Sequence, residues 1–356
     1  MGGGWKVWAR IFTAGTRTLL VAAVVSLTTL AAHESPALPD DVAVVPAQPT
    51  QATHGPGSSD YPHAGLRMSK HAAGARQFWI FTPDEPKPDR APVVVFLHGW
   101  GSFEPDVYGA WIKHLVRRGN IVIYPRYQES LRSLPGEFAE HAVIAIRDAI
   151  SQTQAGEVQP DLEKLAYVGH SMGAIMSANI AQNAARLNLP TTRALFLAEP
   201  AFEPIVAKYD QIPAATLLVI AVGSDVKRDS SATRILRGST LVPPENKNYV
   251  ALPSDLHGNP PMISDHFAPC AADQFDETAT SKPRNQWRGR THDSLDYYGY
   301  WKLCDGLLDA AFFGRNRHYA LTDSPELRFM GLWSDGTPVR EAATLDVDDK
   351  SNTAAR

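Results

Sequence analysis

A serine between two glycines, in the pattern G-x-S-x-G, can act as a nucleophile when it lies at a sharp turn between a strand and a helix. Residues 169–173 read Gly-His-Ser-Met-Gly, with Ser171 at the centre. An apolar run of strand length precedes them, and a helical apolar pattern follows over residues 172–187. The predicted turn holds Ser171 above the sheet edge, where the helix N-terminus offers N–H groups to a developing anion. The alternative interpretation is a glycine-rich turn whose serine only caps the helix.

A second glycine-containing loop, residues 98–101 (HGWG), follows another apolar run. That run, residues 92–97 (PVVVFL), is typical of a strand buried on both faces. In an acyl-transfer site such a loop supplies one oxyanion donor. We therefore predict that the backbone N–H groups of Trp100 and Met172 form an oxyanion hole. His98 is interpreted as a buried histidine that shapes the loop.

A serine hydroxyl is a weak nucleophile, so the site also needs a base and an acid. The acid should follow a later strand, because the carboxyl ends of parallel strands meet at one edge of the sheet. Residues 216–222 form such a strand and lead to Asp225. We predict that Asp225 is the acid, with Asp229 as the alternative. Either aspartate could instead cap a following helix.

The base should come last along the chain. The strand predicted at residues 248–252 leads into a loop that carries His257, which we predict to be the base. His266 lies further along the same loop and is the alternative. No spacing of histidines, cysteines and carboxylates indicates a metal site.

The scaffold for these residues is predicted from the alternation of strands and helices, which favours a mostly parallel central sheet flanked by helices. Only residues 199–215 separate two core strands where a cap would be inserted, so no large cap domain is expected. The site is then open, unless the insertion at residues 259–292 folds over it. The predicted strands are residues 77–82, 92–97, 120–124, 165–168, 194–197, 216–222 and 248–252.

The order Ser171, Asp225, His257, with the GHSMG and HGWG motifs, resembles the α/β-hydrolases. Within that fold the motifs are similar to the polyester hydrolase (cutinase-like), chlorophyllase and platelet-activating-factor acetylhydrolase group of esterases. The resemblance covers residues 93–258, and residues 259–339 do not match that group. It implies the eight-stranded α/β-hydrolase fold, a Ser-His-Asp triad, no cofactor, and hydrolysis of carboxylic esters through an acyl-enzyme on Ser171.

Three other functions compete with an esterase. A peptidase or amidase, or an acyltransferase, would use the same triad. A non-catalytic binding protein would be expected to lack a triad member, whereas here each position has a candidate. The net charge of -4 and the pI near 6.3 argue against nucleic acid as a partner and leave a small-molecule, lipid or polyester ester as the expected substrate.

The N-terminus has the pattern of an export signal, since Lys6, Arg10 and Arg17 precede an apolar run at residues 19–32. Residues 1–32 are predicted to be a signal peptide, with an uncleaved membrane anchor as the alternative. The protein is therefore expected to be exported, into the periplasm or the medium.

The remaining boundaries follow from composition. Residues 33–60 are rich in Pro, Ala, Gly and Ser and are predicted to be a disordered linker. Residues 61–340 form the predicted α/β-hydrolase domain, and residues 341–356 a disordered tail. Export would place Cys270 and Cys304 in an oxidising compartment, so a disulfide between them is predicted, with two buried free thiols as the alternative.

Overall fold

A computed structural model of the chain describes residues 45–201, 207–225, 230–275 and 291–346. The predicted signal peptide or anchor lies outside the described residues, as does the alternative acid Asp229. No helix within the described ranges is long and apolar enough to cross a membrane.

A single sheet organises the described residues, with the strand order β1-β2-β4-β3-β5-β6-β7-β8-β9. The strands from β3 to β8 pair in parallel, whereas β1, β2 and β9 pair antiparallel with their neighbours. The mostly parallel sheet predicted from the sequence is therefore confirmed. The nine strands are β1 (Gly65–His71), β2 (Phe78–Asp84), β3 (Arg90–Leu97), β4 (Ile121–Pro125), β5 (Gln159–His170), β6 (Thr192–Ala198), β7 (Leu217–Gly223), β8 (Lys247–Leu252) and β9 (Ala343–Thr344).

Helices cover both faces of the sheet. Because successive strand residues point to opposite faces, Val94 and Phe96 of β3 join one buried apolar cluster, while Val93, Val95 and Leu97 join the other. The first cluster includes residues of α1 and α5, and the second includes residues of α2, α3 and α4. The helices are α1 (Gly109–Arg117), α2 (Phe138–Gln154), α3 (Met172–Gln182), α4 (Ser230–Gly238), α5 (Trp301–Phe313) and the short α6 (Pro325–Arg328).

The connection from β6 to β7 has no helix among its described residues, 199–201 and 207–216. This agrees with the expected absence of a large helical cap at that point. The site edge of the sheet is instead approached by the loop that follows β8.

The structure corrects the prediction of a disordered linker for residues 45–60. Gln48 Oε1 accepts hydrogen bonds from the Ser294 backbone N–H at 3.1 Å and from its hydroxyl at 2.8 Å. The Gly57 N–H donates to Asp305 Oδ2 at 2.8 Å. Gly57 has a φ of +78°, and a Cβ there would lie 2.1 Å from the Tyr297 carbonyl oxygen. Proline and glycine exclude a regular helix or strand here, but they allow an extended segment to pack closely on the domain.

The predicted disordered tail is also partly corrected, because Ala343–Thr344 forms β9 and pairs with β8. Residues 347–356 of that tail lie outside the described residues.

The predicted disulfide is wrong in this structure. Cys270 and Cys304 are both buried free thiols, and both belong to the apolar cluster that includes α1 and α5. Buried cysteine behaves as a small apolar side chain, so packing alone accounts for both positions.

Candidate active site

The turn between β5 and α3 carries Ser171. Strand β5 ends at His170, and α3 begins at Met172. Ser171 has a φ of 55° and a ψ of -122°, a strained conformation for a residue with a side chain. Such strain persists where the surrounding structure holds it, which is typical of active-site residues. The Ser171 N–H donates to the Ala198 carbonyl oxygen at 3.0 Å, which ties the turn to the end of β6.

Both glycines of the motif are required by close packing. A Cβ at Gly173 would lie 2.0 Å from the Leu97 carbonyl oxygen and 2.4 Å from that of His98. A Cβ at Gly169 would lie 2.5 Å from the Gly173 carbonyl oxygen. Any larger residue would push α3 away from β3, and the serine would move with it.

The histidine beside Ser171 is His266. Its Nε2 lies 3.0 Å from Ser171 Oγ, within hydrogen-bond range. The predicted base, His257, lies elsewhere: its Nε2 contacts Asp335 Oδ2 at 2.8 Å in a partly exposed pair. The structure therefore corrects the choice between the two loop histidines.

The path of the loop after β8 explains this correction. Asp255 and Met262 exchange backbone hydrogen bonds of 2.9 and 2.8 Å, so the chain between them turns back on itself and carries His257 with it. The returning chain passes the end of β7, where the Asp225 N–H donates to the Ser264 carbonyl oxygen at 3.3 Å. His266 follows two residues later and reaches the serine.

Asp225, the predicted acid, braces this returning segment. Its carboxylate accepts hydrogen bonds from the hydroxyl of Ser224, at 3.0 Å, and from the hydroxyl of Ser254. The Ser254 oxygen in turn accepts the Ser264 N–H at 2.8 Å. Among the described residues, the partners of the Asp225 carboxylate are thus hydroxyl groups and not an imidazole.

Glu199, directly after β6, is a second carboxylate at this edge that the sequence analysis missed. It has a φ of 49° and is almost fully buried. Its Oε1 accepts hydrogen bonds from the Tyr300 hydroxyl, at 2.7 Å, and from the Gly223 N–H. Its Oε2 is buried and has no hydrogen-bond partner among the described residues. In the sequence, the signal for Glu199 is its position directly after an apolar strand, where a carboxylate lies at the same sheet edge as the serine.

Burial, together with the nearby carboxylate of Asp265, raises the pKa of Glu199 from its ordinary 4.5 to about 8. The hydrogen bonds from Tyr300 and Gly223 offset only part of that cost. Glu199 is therefore protonated near neutral pH in this structure.

The predicted oxyanion residues, Trp100 and Met172, both lie near Ser171. Met172 is the first residue of α3, and Trp100 lines the same pocket as Ser171. The Trp100 loop is held by a hydrogen bond of 2.8 Å from the Gly101 N–H to Gln128 Oε1. His98 is buried, and its ring nitrogens contact two carbonyl oxygens, which confirms its predicted role in shaping the loop.

The pocket over Ser171 has a volume of about 300 Å³, which lies at the small end of the range for ligand sites. Phe267 and Cys270, from the insertion after β8, form part of its wall together with Trp100 and His266. The described part of that insertion thus lines the site. A larger cavity of about 550 Å³ lies between α2 and α3, and neither Ser171 nor His266 lines it. Within the described ranges, no group of three or more His, Cys, Asp or Glu side chains could hold a metal ion.

The family model described as chlorophyllase matches residues 53–207. The chain has the α/β-hydrolase fold. The predicted resemblance of the chain to the chlorophyllase group is confirmed by the family match, which spans the HGWG loop and the serine elbow. A comparison with curated proteins gives no match.

Solved structures similar to this chain include esterases of low sequence identity. One is a thermostable esterase from Pseudomonas putida, with 18% identity, a TM-score of 0.42, and coverage of 52% of this chain and 72% of that chain. Another belongs to a study of two esterases from the fungus Rhizomucor miehei, with 15% identity, a TM-score of 0.44, and coverage of 54% and 76%.

Because Glu199 is protonated in the folded protein near neutral pH, we predict that the free energy of unfolding depends on pH. Because folding raises the pKa of Glu199 from 4.5 to about 8, its contribution to stability is present below about pH 4.5 and is lost as the pH rises toward 8. Glu199→Gln stays neutral, so its stability relative to wild type should rise between about pH 5 and about pH 8, by on the order of a few kcal/mol. Urea unfolding at both pH values measures this change.

The matched control is Glu163→Gln, which alters an exposed glutamate of β5. Its stability relative to wild type should be the same at both pH values. A Glu199→Gln difference that is equally independent of pH would show that Glu199 is already ionised in the folded protein.

Proposed function

We propose that the chain is a serine hydrolase that cleaves carboxylic esters through an acyl-enzyme on Ser171, with His266 as the general base. The observation that carries the proposal is the 3.0 Å contact between His266 Nε2 and Ser171 Oγ at a strained strand-to-helix turn. A nucleophile within hydrogen-bond reach of its base is the arrangement that covalent acyl transfer requires. The match to the chlorophyllase family model is consistent with this reaction class.

The proposed cycle has two acyl-transfer steps. Ser171 Oγ attacks the ester carbonyl carbon while its proton moves to His266 Nε2. The resulting oxyanion accepts hydrogen bonds from the N–H groups of Trp100 and Met172, each worth about 3–4 kcal/mol in the transition state. The tetrahedral intermediate expels the alcohol, which takes the proton from His266. Water then attacks the acyl-enzyme by the same route and releases the carboxylic acid.

We assign the acid role to Asp225, on its position after β7, and retain Glu199 as the competing carboxylate. Asp225 is exposed and bonded to the segment that leads into His266, so it can support the base through Ser254. Glu199 is buried at the same sheet edge with an oxygen that has no hydrogen-bond partner among the described residues, and only an imidazolium beside it would lower its pKa enough for it to ionise.

The pocket wall favours esters with an apolar acyl part, because Trp100, Phe267 and Cys270 surround the serine. Amide hydrolysis and acyl transfer to alcohols need the same triad. Assays on amide substrates test for the first, and product analysis with added alcohols tests for the second. A binding protein without catalysis would not label with a fluorophosphonate.

Ser171→Ala should abolish both ester hydrolysis and fluorophosphonate labelling, because it removes the only atom that the acyl group can join in this mechanism. Wild type and variant are compared on p-nitrophenyl esters from short to long acyl chains, and circular dichroism checks that the variant is folded. Full labelling of the alanine variant would place the nucleophile elsewhere.

His266→Ala should lower kcat by several orders of magnitude, because Ser171 loses its proton acceptor. His257→Ala is the matched control, since it removes a histidine of the same loop that pairs with Asp335. It should change kcat by less than about threefold. The opposite result, in which His257→Ala lowers kcat by several orders of magnitude and His266→Ala leaves it nearly unchanged, would contradict the proposed base.

Asp225→Asn should lower kcat by about 100-fold or more while leaving KM nearly unchanged, because the neutral amide binds Ser254 less strongly and the segment that leads into His266 is then held less firmly. Glu199→Gln, assayed in parallel, should retain most of the activity. If the glutamine variant is the inactive one, Glu199 is the acid and Asp225 only braces the loop.

A further inference from the structure

The residue before the nucleophile, His170, connects two loops of the site. Its Nδ1 lies 2.8 Å from the Tyr108 hydroxyl, and its Nε2 lies 2.8 Å from the His266 carbonyl oxygen. The Tyr108 oxygen also accepts the Gly99 N–H at 3.0 Å. One imidazole therefore joins the backbone of the base to the loop that carries Trp100.

Four groups are linked here: the Gly99 N–H, the Tyr108 hydroxyl, the His170 ring and the His266 carbonyl oxygen. Their chemistry decides the direction of the three hydrogen bonds between them. A carbonyl oxygen can only accept, so the proton of a neutral His170 ring must be on Nε2. Nδ1 is then an acceptor, and the Tyr108 hydroxyl donates to it. The Tyr108 oxygen keeps a lone pair for the Gly99 N–H. All three hydrogen bonds are satisfied together by one neutral tautomer of His170.

Packing holds this imidazole in place. His170 is 2% exposed and Tyr108 is fully buried. A Cβ on Gly99 would lie 3.0 Å from His170 Nδ1, so the loop backbone rests almost directly on the ring. On the other side, the rings of His170 and His266 are tilted against each other with centroids 5.0 Å apart. In such a water-poor setting hydrogen bonds are stronger than at the surface.

We propose that His170 is a positioning residue for the reaction. It holds the backbone of His266 and the oxyanion loop at a fixed separation on either side of Ser171, without touching the reacting atoms itself. A displacement of about 1 Å between reacting groups can cost about 100-fold in rate. The inference rests on the proposed function, since it concerns the geometry of that same triad.

Three variants test the proposal. His170→Gln places an amide nitrogen where it can donate to the His266 carbonyl, whereas His170→Leu fills similar space without a donor. Tyr108→Phe keeps the aromatic ring and removes only the hydroxyl. For each, kcat and KM are measured on a short-chain p-nitrophenyl ester, with active sites counted by fluorophosphonate titration and thermal unfolding recorded alongside.

His170→Leu should lower kcat per titrated site about 10- to 100-fold, with KM within about twofold of wild type. His170→Gln should recover about fivefold or more of that loss, because it restores the bond to the His266 carbonyl. A purely structural role would lower the melting temperature and the fraction of titrated sites, but would leave kcat per site unchanged.

The proposal is overturned if kcat per site in His170→Leu equals that of wild type, or if the glutamine variant is no better than the leucine variant. If His170→Leu does not fold, Tyr108→Phe decides: a fall of about threefold or more in kcat at constant KM supports the proposal, and an unchanged kcat refutes it. A wild-type protein that neither hydrolyses esters nor labels would instead refute the proposed function, and the inference with it.

Discussion

The close approach of the serine turn to the end of β3 is the constraint on which the site depends. Gly173 lies so near the carbonyl oxygens of Leu97 and His98 that no side chain fits between them. That contact brings the first turn of α3 against the HGWG loop, so the two proposed oxyanion donors come from neighbouring backbone segments. The strained φ of Ser171 follows from it, because the chain must reverse within one residue to enter α3.

A set of polar contacts helps to hold the loop that carries the base. Ser254 links the carboxylate of Asp225 to the backbone of Ser264, and Asp255 pairs with Met262. The C-terminal segment adds a second support, since Trp333 Nε1 and the Arg340 N–H both donate to Asp255 Oδ2, at 3.2 and 2.9 Å. Residues far apart in the chain thereby fix where His266 lies, although none of them touches the serine.

A similar polar connection joins the N-terminal segment to the helical layer. The buried Asp305 of α5 accepts from the Gly57 N–H and pairs with the imidazole of His114 in α1 at 2.9 Å. The Tyr61 hydroxyl contacts the other nitrogen of His114, also at 2.9 Å. Burying a carboxylate is costly unless it is paired and hydrogen-bonded, and here the segment that looked like a linker supplies part of that pairing. This explains why residues 45–60 are packed although their composition is that of a flexible region.

The sequence by itself determined the features that arise from local pattern. Alternating apolar runs predicted the parallel sheet, and the two glycines around Ser171 predicted the turn, because only a tight backbone passage demands glycine at both positions. Position after a strand end likewise selected the loop after β8, from which His266 reaches the serine. These inferences depend on spacing along the chain, which the sequence contains directly.

Tertiary structure alone decided which groups meet. Both His257 and His266 lie in the loop after β8, and the pairing of Asp255 with Met262 turns one away and returns the other to Ser171. Glu199 was overlooked because its burial depends on Tyr300, which lies about one hundred residues further along the chain. The two cysteines were misjudged for the same reason, since composition indicates a redox compartment but not the direction of two side chains in a shared core. Contacts of this kind depend on how distant segments pack, and local residue patterns do not encode that packing.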